Sequence, residues 1–322
     1  MRLWIPALSW CVACGSDPSP GRDVEVDSGV EVDTTADTEP AETAQADAET
    51  SDTLNSPDTT DTPDTSPGWP EVLGGDRPAS VIAPSGYAGE RLPAILLLGG
   101  YDYFARDLDD WLELSNAIDT RGFLLVLPDG LVDLDGSPFW NATDTCCDYY
   151  GAGVDDVGYL TGLIDELEAR FPVGDVSLVG HSAGGFMAYR MACEVPARFH
   201  AVVSIAGSGY LDPEDCAVTD VPLPVLQVHG DADDIMPFDG DDEAPGALEM
   251  LERWGGTNGC RLRSWVTEGV SPNMAAEGKT VVGTYRDDCT EDVRLWRLEG
   301  SDHYPSFTAT FVPRLLDWLM SR

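Results

Sequence analysis

The sequence predicts an α/β fold in which a mostly parallel central sheet carries helices on both faces. Continuous apolar runs, typical of strands that are buried on both faces, occur repeatedly along the chain. Segments whose apolar residues recur at helical spacing lie between these runs. Strand–helix units repeated in this way form parallel sheets, because each connecting helix crosses back over the sheet.

The predicted strands are short, apolar and ended by turn residues. The run at 95–98 stops at two glycines, and the run at 123–127 stops at the Pro-Asp-Gly sequence of 128–130. Further runs of the same type predict strands at 176–179, 201–205, 225–228 and 293–298.

The predicted helices each have one apolar face. In the first helix, at 108–119, this face contains Trp111, Leu112 and Ile118 at helical spacing. The same pattern predicts helices at 157–171, 186–193 and 311–320.

Composition limits the class of protein that the chain can form. Of 322 residues, 43% are hydrophobic, which is enough for a sizeable core, and the net charge is −40. Because nucleic-acid binding needs clustered Lys and Arg, we expect no nucleic-acid partner and repulsion from anionic membrane surfaces. We expect no metal site, since no acidic loop has a complete calcium-ligand pattern, although calcium binding stays open as an alternative.

Residues 1–14 are predicted to be an export signal. One positive charge, Arg2, precedes an apolar run that is too short to cross a bilayer as a helix. The Ala-Cys-Gly-Ser sequence around Cys14 resembles the bacterial lipoprotein processing site, although Cys11 stands where that family usually has Leu. This resemblance implies that Cys14 is acylated and becomes the mature N-terminus. Secretion without an anchor is the alternative.

Residues 15–68 are predicted to be a disordered acidic linker rich in Asp, Thr and Pro. This segment has 15 acidic residues against one arginine, a net charge of −14, and few large aliphatic side chains. It cannot bury enough apolar area to offset the entropy of ordering, and its like charges extend it. Residues 69–322 have 43 acidic and 16 basic residues, a net charge of −27, and are predicted to form a single catalytic domain.

Cysteine usage predicts three disulfides in this domain, because the count is even and the chain is expected to be exported. The cysteines lie at positions 146, 147, 193, 216, 260 and 289. We expect Cys260 to pair with Cys289, since both lie in one late segment. Cys146 and Cys147 are adjacent, so we expect each to pair with a distant partner, which the sequence does not identify. Zinc binding is the alternative, but the spacings do not favour it.

A G-x-S-x-G motif lies between a predicted strand and a predicted helix. It consists of Gly180, His181, Ser182, Ala183 and Gly184. In this context the glycines let the backbone turn sharply and leave the Ser182 hydroxyl exposed as a nucleophile. The N–H of Ala183, at the start of the helix, can stabilise an oxyanion.

A nucleophilic serine needs a base, and the base needs an acid that orients it. When this motif forms part of an active site, the chain order is serine, acid, histidine. His303 follows the last predicted strand and precedes the last helix, where the base is expected. Asp233 lies in the loop after the strand at 225–228 and is the predicted acid, with Asp231 and Asp234 as nearby alternatives.

Further short motifs follow one another across most of residues 79–306. They are Leu-Pro-Asp-Gly at 127–130, Phe-Trp-Asn-Ala at 139–142, Cys-Cys at 146–147, Val-Asp-Asp-Val-Gly at 154–158, Gly-His-Ser-Ala-Gly-Gly at 180–185, Met-Ala-Tyr-Arg at 187–190 and His-Gly-Asp-Ala-Asp-Asp-Ile-Met-Pro at 229–237. Together they resemble the α/β-hydrolase superfamily, and within it the secreted esterases of the polyhydroxybutyrate depolymerase and feruloyl esterase type. The resemblance implies a serine esterase that needs no cofactor, with Asp233 as its acid and His303 as its base.

The chain departs from this family at two places. The family usually has His-Gly after the first buried strand, where this chain has Gly99-Gly100-Tyr101, so the resemblance implies that Tyr101 donates the second oxyanion N–H. The family usually has Trp-Pro after the base, where this chain has Tyr304 and then proline. The predicted substrate-contacting residues are Trp140, Tyr304 and His181, with Tyr101 as a further candidate. Packing in the core or at the rim is an equal alternative for Trp140 and Tyr101.

The sequence therefore predicts an exported serine esterase, a carboxylic ester hydrolase acting on extracellular and polymer-linked esters. Feruloyl and acetyl esters of polysaccharides and polyhydroxyalkanoate all stay open as substrates. A serine peptidase of the same fold and an inactive surface binding module are the alternatives. We expect a monomer that is a cell-surface lipoprotein or otherwise secreted, with membrane contact only through the lipid anchor.

Overall fold

The structure, a computed structural model, describes residues 71–216, 221–271, 273–285 and 287–321. The predicted export signal at 1–14, the lipidation site Cys14 and the predicted linker at 15–68 lie outside the described residues. Within the described ranges, no helix is long and apolar enough to cross a membrane.

One large sheet dominates the part of the chain that the structure describes. Its ten strands lie in the order β1-β2-β4-β3-β7-β8-β9-β12-β11-β10, and β5 and β6 form a separate hairpin. The strands are β1 (Glu71–Leu73), β2 (Ala79–Ile82), β3 (Leu92–Leu98), β4 (Leu124–Leu127), β5 (Leu131–Val132), β6 (Pro138–Phe139), β7 (Val173–His181), β8 (Ala201–Ile205), β9 (Val225–Gly230), β10 (Trp265–Ser271), β11 (Thr280–Tyr285) and β12 (Val293–Leu298).

The centre of the sheet is parallel and its edges are antiparallel. Strands β4, β3, β7, β8, β9 and β12 pair with their neighbours in parallel. Antiparallel pairs join β1, β2 and β4 at one edge and β12, β11 and β10 at the other. The predicted, mostly parallel sheet is therefore confirmed.

Helices cover both faces of this sheet. They are α1 (Ala105–Leu112), α2 (Ile118–Arg121), α3 (Asp156–Arg170), α4 (Ala183–Glu194), α5 (Ala247–Thr257) and α6 (Phe311–Met320). Side chains of α3, α4 and α5 pack in one apolar cluster, whereas those of α1 and α6 pack in a second. Along β3, Leu96 belongs to the first cluster and Leu97 to the second, because successive strand residues point to opposite faces.

The first helix is shorter than the sequence predicted. It ends at Leu112 because Glu113 has a left-handed backbone conformation (φ 60°) and its N–H bonds to the carbonyl of Asp109. A short 3₁₀ turn, Ser115–Ala117, and then α2 occupy the rest of the predicted helix.

Three disulfides join the six cysteines of the described domain. Cys260 is paired with Cys289, as the sequence predicted, and Cys193 is paired with Cys216. The remaining two, at positions 146 and 147, are joined to each other. The expectation that each would take a distant partner is therefore wrong, because the other four cysteines are already paired. Disulfides are typical of proteins that fold outside reducing compartments.

Candidate active site

Ser182 lies on a sharp turn between strand β7 and helix α4. Its backbone has φ 53° and ψ −122°, a strained conformation for a residue other than glycine. The turn needs glycine at positions 180 and 184, since a Cβ at Gly180 would collide with the carbonyl of Gly184, and one at Gly184 with the carbonyl of Leu98. The N–H of Ser182 bonds to the carbonyl of Ile205 at 2.9 Å, which ties the turn to β8. The sequence motif therefore forms the strand–turn–helix elbow that it predicted.

His303 and Asp233 form a buried hydrogen-bonded pair. The Nδ1 of His303 is 2.9 Å from Oδ2 of Asp233, and their side chains are 2% and 0% exposed. His303 lies in the loop after β12, and Asp233 lies in the loop after β9. The structure therefore brings the predicted base and the predicted acid together.

The alternative acids have other partners or positions. Asp231 accepts a hydrogen bond from the N–H of Gly300 at 2.6 Å and forms an ion pair with Arg297. Asp234 is exposed. Among the described residues of this loop, Asp233 is the one carboxylate that forms a hydrogen bond and ion pair with His303.

The surroundings of Asp233 keep its carboxylate ionised. Burial opposes the charge, but hydrogen bonds from His229, His303 and the N–H of Met236 outweigh it and hold the pKa of Asp233 well below its usual range. The other carboxylate oxygen, Oδ1, accepts the N–H groups of Ile235 at 3.0 Å and Met236 at 2.8 Å. The carboxylate is therefore fixed in both position and charge.

His229 is a functional candidate that the sequence reasoning missed. Its Nε2 lies 2.8 Å from the carbonyl of Met236 and 3.4 Å from Oδ2 of Asp233, so this nitrogen carries the proton. Its Nδ1 faces the amide nitrogen of Gln227 at 3.0 Å. Its position four residues before the predicted acid was the available signal in the sequence.

One cavity of about 310 Å³ contains both Ser182 and His303 in its lining. The predicted contact residue Tyr304 and the candidate Tyr101 line it as well. The rest of the wall includes further aromatic rings, the joined cysteine pair and two carboxylates: Tyr149, Phe186, Cys146, Cys147, Asp102 and Glu243. Ser182 and the predicted base thus open onto one cavity whose wall is partly aromatic.

The two predicted oxyanion donors lie on segments that touch each other. Ala183 is the first residue of α4, where backbone N–H groups have no acceptor within the helix. Tyr101 lies just after β3, and the carbonyls of Leu98 and Gly99 reach the glycine at 184 so closely that a Cβ there would not fit. The phenol of Tyr101 donates to Oδ2 of Asp133 at 2.6 Å, which ties this loop to the β5–β6 hairpin.

Trp140 does not line the cavity, so the predicted substrate contact is wrong and the alternative of packing in the core describes it. It is 1% exposed, and its indole N–H donates to the carbonyl of Gly99 at 2.9 Å. The guanidinium of Arg77 lies over its ring at 5.1 Å. Because the polar edge of the indole bonds to Gly99, Trp140 helps to hold the loop after β3, which contains the predicted oxyanion donor.

His181 does not contact the cavity either. Its side chain is fully buried, and its Nε2 lies 2.8 Å from the carbonyl of His303. Its Nδ1 faces the hydroxyl of Tyr103. The side chain does not line the cavity, and both of its ring nitrogens have partners in the interior.

The fold and this site define the class of protein. A parallel sheet that places a serine elbow after β7, an acid after β9 and a histidine after β12 is an α/β-hydrolase. Residues 71–254, more than half of the chain, match the family described as "Putative esterase". The chain belongs to this family.

Comparisons with individual proteins agree with this assignment. "Putative esterase NocK" of Nocardia uniformis subsp. tsuyamanensis is 34% identical over 158 residues, which are 48% of this chain and 44% of that protein. "Probable feruloyl esterase C" of Aspergillus niger is 32% identical over 112 residues, which are 34% of this chain and 38% of that protein. The chain thus spans less than half the length of these curated relatives.

A solved structure shows the same fold at low sequence identity. The acetyl xylan esterase from Aspergillus awamori superposes with a TM-score of 0.55 and 11% identity. The match covers 75% of this chain and 94% of that one. At this identity the likeness supports the α/β-hydrolase fold alone.

Proposed function

We propose that the protein is a serine carboxylic-ester hydrolase with Ser182 as nucleophile, His303 as base and Asp233 as the orienting acid. The observation that carries the proposal is the 2.9 Å hydrogen bond between His303 and Asp233, beside a cavity that also exposes the strained Ser182. Membership of an esterase family supports the ester as the bond that is cleaved.

The proposed reaction begins with attack of the Ser182 hydroxyl oxygen on the ester carbonyl carbon. His303 takes the hydroxyl proton through Nε2, while the carboxylate of Asp233 accepts the proton on Nδ1 and so fixes the imidazole orientation. The N–H groups of Ala183 and Tyr101 bind the oxyanion that forms. The imidazolium then gives its proton to the departing alkoxide, which leaves an acyl group on the serine.

Water completes the proposed cycle. His303 removes a proton from a water molecule that attacks the acyl-serine carbonyl, and the second tetrahedral intermediate is held by the same two N–H groups. Its collapse returns the proton to the serine oxygen and releases a carboxylic acid. Apart from the substrate and one water molecule, these steps use side chains and backbone groups of the described site.

We propose polymer-linked or aryl-bearing esters as the substrate class. The cavity wall has four aromatic rings, from Tyr101, Tyr149, Phe186 and Tyr304, which suit a flat acyl group. Relatives named as feruloyl esterases support the same class. Feruloyl, acetyl-polysaccharide and hydroxybutyrate esters are therefore the substrates to compare.

We propose that this chemistry takes place outside the cytoplasm, with the chain either anchored through Cys14 or secreted. Three disulfides in the described domain support export, because reducing compartments do not preserve them. Mass spectrometry of the membrane fraction tests the anchor. A diacylglyceryl group on Cys14 supports it, and an unmodified soluble mature chain contradicts it.

Hydrolysis of p-nitrophenyl acetate by the full chain tests the proposed chemistry. We expect serine-dependent turnover that Ser182→Ala lowers by more than about 1,000-fold, because the nucleophile is removed. Ser208→Ala is a matched control, since Ser208 is a buried serine whose hydroxyl bonds to the carbonyl of Pro245 at 2.6 Å. Equal activity in Ser182→Ala and the wild-type chain, with both folded, would contradict the assignment.

A further inference from the structure

A second hydrogen-bonded pair, the partly buried Tyr103 and the buried His181, is not used by the proposed chemistry. Tyr103 is in the loop between β3 and α1, and His181 is the last residue of β7. The Tyr103 hydroxyl contacts Nδ1 of His181, and Nε2 of His181 lies 2.8 Å from the carbonyl of His303. His181 is fully buried.

The direction of each hydrogen bond in this pair follows from its partners. A backbone carbonyl only accepts, so Nε2 of His181 carries the proton and donates it to His303. Nδ1 is then an acceptor, and the Tyr103 hydroxyl donates to it. Burial, and then the charge of His303, lowers the pKa of His181 to about 3, and burial raises the pKa of Tyr103. Both groups are therefore neutral at physiological pH, and the bond directions stay fixed.

The other end of this pair touches the loop that carries the proposed oxyanion donor. The phenol ring of Tyr103 lies directly against Gly100 in this loop. A Cβ at position 100 would collide with the same phenol ring, so only glycine fits beside Tyr103. Position 100 immediately precedes Tyr101.

These contacts form one continuous chain of hydrogen bonds. It runs from the Tyr103 hydroxyl to Nδ1 of His181, and from Nε2 of His181 to the carbonyl of His303, and the Tyr103 ring at its start packs against Gly100. We call this chain the relay. The relay passes next to the nucleophile, since His181 directly precedes Ser182 in the sequence.

We propose that Tyr103 and His181 are positioning residues that hold the oxyanion loop and the base loop at a fixed separation. The inference rests on the proposed function, because it needs Tyr101 as oxyanion donor and His303 as base. A tetrahedral intermediate contacts both, so a change in their separation lowers the rate without removing either group. The relay also accounts for the Gly-Gly-Tyr sequence after β3, since the Tyr103 phenol occupies the space that a side chain at position 100 would need.

Two conservative single substitutions test the relay. Tyr103→Phe removes the hydroxyl but keeps the ring, and Gly100→Ala forces the phenol out of place. We expect each to lower kcat for p-nitrophenyl acetate by about tenfold and to leave KM within about twofold, because the chemistry is misaligned while the cavity is kept. Tyr159→Phe is the matched control, since the Tyr159 hydroxyl is buried and has no hydrogen-bond partner within the described chain.

Substitutions of His181 add a test by partial rescue. His181→Leu removes both bonds, and His181→Gln keeps an N–H near the His303 carbonyl. We expect Leu to lower kcat by about 100-fold and Gln to recover about tenfold of that loss. Because Tyr103→Phe and His181→Gln act on one relay, their combined loss should be smaller than the product of the two separate losses.

A proton NMR measurement gives a readout that does not depend on turnover. The Nδ1 proton of His303, which lies in the bond to Asp233, is observable as a strongly downfield imidazole resonance. We expect Tyr103→Phe to shift or broaden this resonance, whereas Tyr159→Phe leaves it unchanged.

The outcomes separate this inference from the proposed function. If Tyr103→Phe and Gly100→Ala keep kcat within twofold and the His303 resonance does not move, the relay has no positioning role, whatever the activity of Ser182→Ala. If His181→Leu fails to fold, the Tyr103→Phe result decides. A wild-type chain that shows no esterase activity would contradict the proposed function, and the NMR comparison would still test the relay.

Discussion

At the residue scale, two histidines lie close to the same carboxylate oxygen of Asp233. Oδ2 of Asp233 lies 2.9 Å from Nδ1 of His303 and 3.4 Å from Nε2 of His229. The shorter contact belongs to the proposed base, and His229 also donates to the carbonyl of Met236. His229 therefore acts as a second anchor that holds the carboxylate without displacing the base.

The depressed pKa of Asp233 predicts a pH-dependent contribution to stability. A carboxyl whose folded pKa lies below its unfolded value of about 3.9 stabilises the fold above that pH and loses this effect as the pH falls through the folded pKa. We expect Asp233→Asn to lower the free energy of unfolding by about 2 kcal/mol at pH 7, since the amide carries no charge. The difference between wild type and variant should shrink below pH 4.

Denaturant unfolding of both chains between pH 2 and pH 7 measures this difference. Asp234→Asn is the control, because Asp234 is an exposed carboxylate in the same loop. A gap between wild type and Asp233→Asn that stays constant or grows as the pH falls would show that Asp233 is not held in its charged form.

At the element scale, the loop at 140–147 forms one wall of the cavity. The N–H of Cys147 bonds to the carbonyl of Trp140 at 3.0 Å, and the indole of Trp140 bonds to the carbonyl of Gly99. The disulfide between Cys146 and Cys147 lines the cavity on this side. The loop thus links the cavity wall to the oxyanion segment.

The disulfides should differ in what they contribute. Cys146 and Cys147 are adjacent, so their bond closes almost no loop, whereas Cys193 and Cys216 are 23 residues apart. We expect Cys193→Ser with Cys216→Ser to lower the free energy of unfolding by about 3 kcal/mol. Replacing the adjacent pair with serines should cost little stability and raise KM for aryl esters, because it changes the cavity wall.

Thermal unfolding and steady-state kinetics of the two double variants check this contrast. The opposite pattern, in which loss of the adjacent pair unfolds the domain and leaves KM unchanged, would show that this pair supports the core rather than the cavity.

The inner strands could be predicted from the sequence, and the edge strands could not. Strands such as β4 and β8 are buried along their whole length, so they appear as continuous apolar runs. By contrast, β1 and β11 mix buried positions with partly or fully exposed ones in no regular order, and β10 forms a bulged antiparallel pair with β11. Helix α5 was also missed, because Gly255 and Gly256 weaken its helical pattern.

The residues of the proposed site could likewise be predicted from the sequence only in part. Ser182, Asp233 and His303 could be named because short local motifs surround them, and the structure brings the last two into contact. Tyr103 could not be named, because its partner His181 lies 78 residues further along the chain. Trp140 and His181 were placed in the cavity because a motif shows that a residue is present but not which way its side chain points.

At the scale of the whole molecule, the residues of the proposed site lie in loops at the carboxyl ends of the parallel strands. The oxyanion segment follows β3, the nucleophile follows β7, the acid follows β9 and the base follows β12. These strands run in the same direction, so the loops that follow them lie along one edge of the sheet. The fold therefore brings together groups that are up to about two hundred residues apart in the sequence.

Covalent labelling by a serine-directed fluorophosphonate tests the central claim most directly, because only an activated serine reacts with it. Treatment of the full chain at pH 7, followed by peptide mass spectrometry, should place a single phosphonyl adduct on Ser182. Labelling should fall strongly in His303→Ala, which lacks the base, and persist in Ser208→Ala. A folded chain that takes no label, or takes it on another residue, would contradict the account.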